Sequence, residues 1–340
     1  MSIRVACVGA GYFSQFHYGA WARMDGVEVV GACDTDLARA SATGAPAFDD
    51  LAAMLEKTKP DLLDIIVPPP AHADTIRAAL AAGITWIICQ KPFCNDLAEA
   101  RAIVKEAKAA GAHLIVHENF RFQPWYRAIR AELDAGTIGA VQNATFRLRP
   151  GDGQGPRAYL DRQPYFQTMP RFLIHETAVH WVDTFRFLFG PVTAVYADLR
   201  RLNPSIAGED AGQVIFDHAG GVRALFDGNR HLDHVADNLR RTMGEAWIEG
   251  TGGTLTLYGD GSVTRRAFGS DAAVNVHPAD TWDGFGGDCV YALQSHVIAA
   301  MKGTGTLENE AADYLTVLAL RDAIYASADA GQKLAMDGDR

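Results

Sequence analysis

The sequence predicts an α/β chain of two parts. Residues 1–122 should form a parallel sheet wound by helices on both faces, and residues 123–340 an α/β domain with an open, mostly antiparallel sheet. Three observations predict it. Up to about residue 122, short β-branched apolar runs alternate with segments of helical period, and strands joined through helices pair in parallel. From Ala140 onward, short strand-like runs follow one another across Gly, Asp and Asn turns, as antiparallel strands do. At 340 residues, 48% hydrophobic and 21% charged, the chain has the length for two cores and the balance of a globular protein.

The first strand is Ile3–Val8. Gly9-Ala10-Gly11-Tyr12-Phe13-Ser14 follows at once, and Phe13–Arg23 reads as a helix. A strand, a glycine turn and a helix start suit a dinucleotide. Gly9 makes the tight turn, Gly11 lets the backbone approach a pyrophosphate, and the helix N-terminus supplies N–H groups and a positive dipole end. Tyr12 and Phe13 complete the turn, and Ser14 stands where a third glycine usually allows close helix–strand packing. The second strand, Val27–Cys33, ends at Asp34, about 25 residues after Gly9, where an acid accepts hydrogen bonds from an adenine ribose. Capping of the Asp36–Thr43 segment is the plainer role for that acid. Asp34-Thr35-Asp36 sets two carboxylates and no neighbouring arginine where a 2′-phosphate would sit, so charge favours NAD over NADP.

The alternation continues through a short helix near Asp49–Lys57, strand Leu62–Val67 and helix His72–Ala82 stopped by Gly83. Strand Ile84–Cys89, helix Asp96–Ala110 stopped by Gly111 and strand His113–His117 complete it. Ligands of such sheets bind at the carboxyl ends of the strands, so residues just past each strand carry most weight. Pro68-Pro69-Pro70 should form an extended wall for the nicotinamide half. His72 reads first as a helix-start residue and second as part of the cofactor site. Gln90, Lys91 and Asn119 follow the last two strands. Lys91, pinned by Pro92 beside the crevice, is placed to meet a ligand; an exposed loop lysine is the alternative.

Composition excludes several classes of partner. A net charge of −10 argues against nucleic acid and anionic membranes. No apolar run reaches membrane-spanning length, and a first strand at residue three leaves no room for a signal peptide. The five cysteines (Cys7, Cys33, Cys89, Cys94, Cys289) form no CxxC pair or zinc spacing and read as buried thiols, which points to the cytoplasm.

A helix over Gln123–Asp134 ends at Gly136 and opens the second part. Strands are expected at Ala140–Leu148, Val192–Leu199, Ala211–Asp217, Val222–Gly228, Glu245–Gly250, Thr254–Tyr258 and Ser262–Ala267, and helices at Cys289–Met301 and Leu307–Asp329. Residues 150–170 form a long aperiodic loop rich in Gly, Pro and Arg, and such loops are often functional. Phe172–Phe189 reads as one amphipathic helix stopped by Gly190-Pro191, with Ile174, Ala178, Trp181, Phe185 and Leu188 on its apolar stripe. Glu176, His180 and Asp183 lie on the opposite face, spaced four and three apart. That is a solvated face, or a general base whose imidazole is oriented by carboxylates. His175 and His180 are five apart, not the four of a helical zinc pair, so no metal site is expected.

With Gly9–Ser14, Asp34, Gln90-Lys91-Pro92 and the Glu176–Asp183 segment on the page, the chain resembles the glucose–fructose oxidoreductase/inositol dehydrogenase (Gfo/Idh/MocA) family over nearly its whole length. The resemblance implies an N-terminal Rossmann domain that binds NAD. It also implies a C-terminal domain whose open sheet lines the sugar site and mediates homo-oligomers, dimers or tetramers. The family's Glu-Lys-Pro motif appears as Gln90-Lys91-Pro92. Its Asp-x-Gly-x-His-x-x-Asp motif appears with Glu176 for the first Asp and Ala178 for the Gly. By that likeness Lys91 and His180 are catalytic and Glu176 assists. Gln90 deprives Lys91 of an adjacent carboxylate, and Glu176 is one methylene longer than Asp.

His117–Tyr126, Gly151–Gly155, Arg162–Phe166 and Gly208–Ala211 look like a branch of aldose dehydrogenases that includes D-apiose dehydrogenases. The implied reaction is oxidation of an aldose at its anomeric carbon to a lactone, with Lys91 bonding the reacting oxygen and His180 taking its proton. Lys91 and His180 come from different domains, so this expects an interdomain cleft. Arg121, Arg149, Tyr159 and Arg162 are candidates to bind hydroxyls; salt bridges with Glu118, Asp152 or Asp161 account for the arginines equally well. The resemblance also admits polyol dehydrogenases and NAD-dependent glycosidases. A non-catalytic NAD-binding regulator would have no use for Lys91 and His180 together.

Overall fold

The computed structural model describes residues 2–336, which fall into two compact units. Residues up to Asn119 together with Val290–Leu318 form the first. Its sheet contains β1 (Ile3–Val8), β2 (Val27–Cys33), β3 (Ala47–Phe48), β4 (Leu62–Ile65), β5 (Trp86–Gln90) and β6 (His113–His117). The order is β3-β2-β1-β4-β5-β6, with every neighbouring pair parallel. The helices between them are α1 (Ser14–Ala22), α2 (Leu37–Ala42), α3 (Leu51–Thr58), α4 (His72–Ala81) and α5 (Leu97–Ala109). Successive crossovers run in opposite directions from β1, so the crevice opens where the β1 and β4 loops part. Side chains of Asp36, Asp50 and Asp96 cap α2, α3 and α5 by accepting N–H groups of Ala38, Ala53 and Glu99. Such caps stabilise by typically about 1 kcal/mol each. Gly83 and Gly111 follow α4 and α5 at φ 80° and 66°.

Residues 290–318 join this unit, where the composition alone suggests one boundary near 122. Polar ties account for it. The Asn309 carboxamide donates to the Glu118 carbonyl (2.5 Å), the Tyr314 hydroxyl to Glu118 Oε2 (3.2 Å), and the Val116 N–H to the Asn309 carbonyl (2.9 Å). Glu118 is fully buried, so these bonds satisfy acceptors held away from water.

The second unit comprises Phe120–Cys289 and the residues from Ala319. It contains α6 (Pro124–Asp134), β7 (Val141–Leu148), α7 (Val179–Phe189), β8 (Val192–Arg200), β9 (Ala211–His218), β10 (Arg223–Asn229) and β11 (Gly244–Gly250). β12 (Gly253–Leu257), β13 (Val263–Ala267), β14 (Ala273–His277), α8 (Phe285–Met301), α9 (Ala311–Ala330) and β15 (Leu334–Ala335) complete the chain, α8 and α9 being shared between the units. The sheet runs β14-β13-β12-β11-β7-β10-β9-β8-β15, with β7 and β10 parallel and the other neighbours antiparallel. Alternate residues Phe146, Phe216, Phe226 and Ile248 face the core. Trp181 of α7 packs there, its ring 4.3 Å from Phe146 and 5.5 Å from Phe226. Truncating so central a side chain costs about 3–5 kcal/mol.

Several elements differ from expectation. β3 and β15 have two residues each, too short for any periodicity. β14 is an exposed edge strand whose burial does not alternate. α8 carries Gly286, Gly287 and Asp288 in left-handed geometry, so its regular part begins at Cys289, where the periodicity puts it. The single helix expected over Phe172–Phe189 is a π-helical turn, Leu173–Ala178, followed by α7. Its apolar stripe is buried as expected, but the opposite face is not solvated. Asp183 is fully buried and His180 nearly so.

Candidate active site

In the first unit the glycine turn separates into two kinds of position. A Cβ on Gly9, at φ +106°, would sit 2.9 Å from the Ile66 carbonyl carbon and oxygen, so the fold itself demands glycine there. A Cβ on Gly11 would meet nothing within 4 Å. The protein's own packing leaves that space open, as the approach of a ligand to the backbone requires. Ser14 is buried, and its hydroxyl donates to the Gly11 carbonyl (2.7 Å) at the start of α1, while Tyr12 is exposed. The Asp34 carboxylate is anchored on the same turn. Its Oδ2 accepts the Ala10 N–H (2.7 Å) and its Oδ1 the Asp36 N–H (2.9 Å), leaving each oxygen a further lone pair for a ribose hydroxyl. These residues fit NAD. Thr35 is exposed beside them, and Asp36, besides capping α2, pairs with Arg39 on the surface (3.4 Å), an arginine the Asp-Thr-Asp turn conceals when read alone.

The loops after β4 and β5 are clasped by His72. Its Nε2–H donates to the Val67 carbonyl (2.8 Å) and its Nδ1 accepts the Cys94 N–H (3.3 Å), an arrangement only the neutral ring can make. Burial pushes its pKa down to about 4, against the opposing pulls of the Val67 carbonyl and Glu99. The three prolines are not one extended wall. Pro68 is extended, and Pro69–Ala71 turn as a 3₁₀ segment into α4, which the proline φ of about −65° also permits.

Behind Lys91 lies a buried polar network. The Gln90 Oε1 accepts the Lys91 N–H (3.0 Å), and its amide nitrogen donates to His17 Nε2 (2.7 Å) and, more weakly, to His117 Nδ1 (3.3 Å). His17 Nδ1 meets Asp64 Oδ2 (2.8 Å), which also accepts the Trp21 indole N–H (2.8 Å) and the Gln294 amide (3.3 Å). Asn119 is buried just past β6. His17 and Asp64 are absent from the sequence expectations. The available signal is an acid inside the otherwise apolar strand Leu62–Ile65, a position charge occupies only with partners.

In the second unit, His180 lies flat on the Phe120 ring, centroids 3.8 Å apart and 6° from parallel. Arg121 forks onto Asp183 through Nε (2.8 Å) and Nη2 (2.5 Å), both side chains buried. Arg149 bonds Asp227 Oδ2 (2.5 Å) and the Asp227 carbonyl (2.7 Å). The 150–170 loop is a small folded core in which Tyr159, Phe166 and Phe172 surround Arg230. Arg230 is fully buried; it grips Asp152 through Nε (3.1 Å) and Nη2 (2.7 Å) and donates from Nη1 to the Thr177 hydroxyl (2.7 Å). Thr177 donates in turn to Glu176 Oε2 (2.8 Å). Asp152 also takes Arg162 (3.1 Å) and the Tyr159 hydroxyl (3.3 Å).

Burial works to raise the Asp152 carboxyl, yet the charges of Arg230 and Arg162 hold it below the usual carboxylate range. Burial first, then the Glu176 charge, pushes the Tyr165 phenol up to about 12, so at neutral pH it is an O–H donor. Of the hydroxyl-binding candidates, Glu176, Tyr159 and Arg162 are thus brought together, while Arg121 and Arg149 are engaged elsewhere in the unit. The sequence offers Asp152 as a salt-bridge partner for the arginines, and it pairs with Arg162; Arg230 and Thr177 escape the sequence. Nothing in the primary structure distinguishes Arg230, at the end of β10, from a surface arginine. Among the described residues, no group of three or more His, Cys, Asp or Glu side chains could hold a metal ion.

Residues 3–118 match the model of the oxidoreductase family with the NAD-binding Rossmann fold, and residues 126–256 the GFO/IDH/MocA C-terminal domain. The chain is 34% identical to D-apiose dehydrogenase of Paraburkholderia graminis, covering 96% of this chain and 88% of that protein. It is 29% identical to D-apiose dehydrogenase of Rhizobium rhizogenes, covering 97% and 96%. The crystal structure of an Agrobacterium radiobacter oxidoreductase in complex with NAD+, L-tartaric acid and magnesium superposes with a TM-score of 0.89, at 27% identity and 98% coverage of both chains. Matches that together span both units, and a relative 34% identical over 96% of the chain, lead to one conclusion: this chain belongs to the GFO/IDH/MocA family of NAD-binding oxidoreductases.

Proposed function

We propose that the protein is an NAD-dependent sugar dehydrogenase that oxidises an aldose, of the pentose or apiose kind, at its anomeric carbon to the lactone. The observation that carries the reading is the glycine turn, with Asp34 bonded to the Ala10 N–H beneath the open space at Gly11. The substrate class rests on the likeness to the two D-apiose dehydrogenases.

Gly9, Gly11, the start of α1 and Asp34 would hold the cofactor, with Pro68, Pro69, Gln90 and Asn119 near its nicotinamide half. When bound, NAD supplies the hydride acceptor. Lys91 bonds the reacting oxygen, and its own main chain is fixed by Gln90. His180, its ring held on Phe120, takes the hydroxyl proton on an imidazole nitrogen as the carbonyl forms. A positioned base of this kind contributes about 10²–10⁴-fold. Glu176 accepts a neighbouring sugar hydroxyl. The enzyme would act in the cytoplasm as a homo-oligomer.

A panel of aldoses and polyols assayed for NAD reduction tests the proposal. One NADH per lactone is expected. Release of an aglycone without net NADH would instead make it a glycosidase, and no turnover on any sugar would leave a binding protein.

A further inference from the structure

The loop that carries Arg162 and Tyr165 fixes the direction of one hydrogen bond. Arg162 spans two acceptors, donating from Nη2 to Asp152 Oδ2 (3.1 Å) and from Nε to Gln163 Oε1 (3.2 Å). Asp152 is itself gripped at two points by the fully buried Arg230, so the Arg162 guanidinium is tied to a fixed anchor. A guanidinium can only donate, which decides that the oxygen end of the Gln163 carboxamide faces it. The amide nitrogen must then face the other way, and it donates to the Tyr165 hydroxyl (3.0 Å). A hydroxyl that accepts from an amide cannot send its own hydrogen back along the same line. Among the described residues, no acceptor lies within hydrogen-bond reach of that hydrogen.

The rest of the tyrosine is held. Its carbonyl accepts the Thr168 N–H (3.1 Å) and the Thr168 hydroxyl (3.0 Å) as the 3₁₀ turn Pro164–Gln167 closes. Its ring meets Phe166 edge-on, centroids 4.9 Å apart, and Phe166 belongs to the buried core of the loop. Tyr165 itself remains 54% exposed. Partial burial first, and the charge of nearby Glu176 second, raise the phenol to about 12, so its proton is present at neutral pH. A fixed O–H is thus presented outward in the neighbourhood of Glu176.

We propose that Tyr165 is a specificity-determining residue of the sugar site, its O–H donating to one hydroxyl oxygen of the substrate, and that Gln163, set by Arg162, is the positioning residue that aims it. A sugar suits this donor, because its hydroxyl oxygens accept while passing their own hydrogens elsewhere. A sugar lacking that hydroxyl would leave the O–H unpaired in the complex. The proposal rests on the sugar dehydrogenase reading.

The test measures kcat/KM for wild type, Tyr165→Phe, Gln163→Glu and the double variant. The substrates are the aldose that wild type oxidises fastest and that sugar's monodeoxy derivatives. Tyr165→Phe keeps the ring and removes one oxygen; it should lose about three- to tenfold on the parent sugar with NAD affinity unchanged. On one deoxy derivative, the one missing the bonded hydroxyl, it should match wild type within about twofold. Gln163→Glu is the sharper variant. Its carboxylate still accepts from Arg162, but its second oxygen takes the Tyr165 hydrogen instead of donating to the hydroxyl, so the O–H turns inward. This near-isosteric change should cost as much as Tyr165→Phe and spare the same deoxy sugar, and the double variant should be no worse than Tyr165→Phe alone. A merely structural Gln163 predicts no such loss, since the new carboxylate would keep the bond to Arg162, and it would single out no deoxy sugar. Tyr165→Phe equal to wild type on the parent sugar, a loss shared equally by every deoxy derivative, or a fully active Gln163→Glu would each overturn the proposal while leaving the dehydrogenase reading in place. A wild type that oxidises no sugar would bring down that reading and the proposal with it.

Discussion

The two glycines of the first turn should fail in opposite ways when given a methyl group. At Gly9 alanine would hold a φ of +106°, a geometry that costs an L-residue about 1–2 kcal/mol, with its Cβ 2.9 Å from the Ile66 carbonyl group. Relieving that contact means moving β1 or the β4 loop, and overpacking of this kind adds about 1–3 kcal/mol. Gly9→Ala should therefore destabilise by roughly 2–5 kcal/mol and lower the melting temperature by several degrees. At Gly11 the same methyl meets nothing within 4 Å and φ is not in the left-handed range, so stability should stay within about 1 kcal/mol, with a small gain from the stiffer unfolded chain. The methyl would instead occupy the approach of a pyrophosphate. NAD affinity should fall about tenfold or more, equivalent to about 1.4 kcal/mol. Thermal melts without cofactor, and NAD titrations by protein fluorescence at a temperature where all forms are folded, give the two numbers. If Gly11→Ala binds NAD as wild type does, or melts as low as Gly9→Ala, the open space at Gly11 is not the cofactor's and the reasoning fails.

Asp34→Ala should weaken NAD far more than NADP, because the ribose loses its acceptor while a 2′-phosphate loses a repelling charge; kcat/KM for both cofactors measures it, and an unchanged ratio would unseat Asp34. His180→Ala should lower kcat by about 10²-fold or more with NAD affinity little changed, Lys91→Ala likewise, and the double variant should be barely worse than the poorer single one. His72, whose folded pKa is depressed from 6.5 to about 4, stabilises the fold fully above pH 6.5 and loses that contribution as pH falls towards 4. At about 1.36 kcal/mol per pKa unit, the stability gap between wild type and His72→Gln should shrink by roughly 2 kcal/mol between pH 7.5 and 5, read from urea unfolding at both values; a constant gap would mean the ring titrates freely.

Much of the first unit was legible because its signals are local. A βαβ series and glycine stops each occupy a few consecutive residues, and the strands at Ile3–Val8, Val27–Cys33 and His113–His117 have the bounds their apolar runs imply. The long strands of the second sheet were legible for the same reason. What was not legible depends on partners far along the chain. The π-turn at Leu173–Ala178 has the composition of an ordinary helix, and only its packing shifts Glu176 out of the register that a period of 3.6 assigns. For Asp183 and His180 a solvated face and a carboxylate-oriented base stay open in the sequence, because nothing near them announces Arg121 and Phe120, more than fifty residues earlier. Arg230 is the extreme case. Its burial follows from an aromatic loop some sixty residues away and an acid 78 residues away.

The same distance effect explains Gln90, which the sequence marks as a departure that leaves Lys91 without a neighbouring carboxylate. The Lys91 N–H needs an acceptor, and the Gln90 Oε1 supplies it, so the amide nitrogen must face His17. His17 gives its Nδ1–H to Asp64 and can offer only a lone pair at Nε2. A carboxylate at position 90 would set lone pair against lone pair at 2.7 Å in a buried site, or would require a charged imidazolium between two acids. An amide is the group that satisfies both ends at once. The acid missing beside Lys91 is present as Asp64, fully buried on β4 and connected to it through one imidazole and one carboxamide. Gln90, His17 and Asp64 are therefore a single choice, distributed over α1, β4 and β5, that fixes the main chain of the lysine.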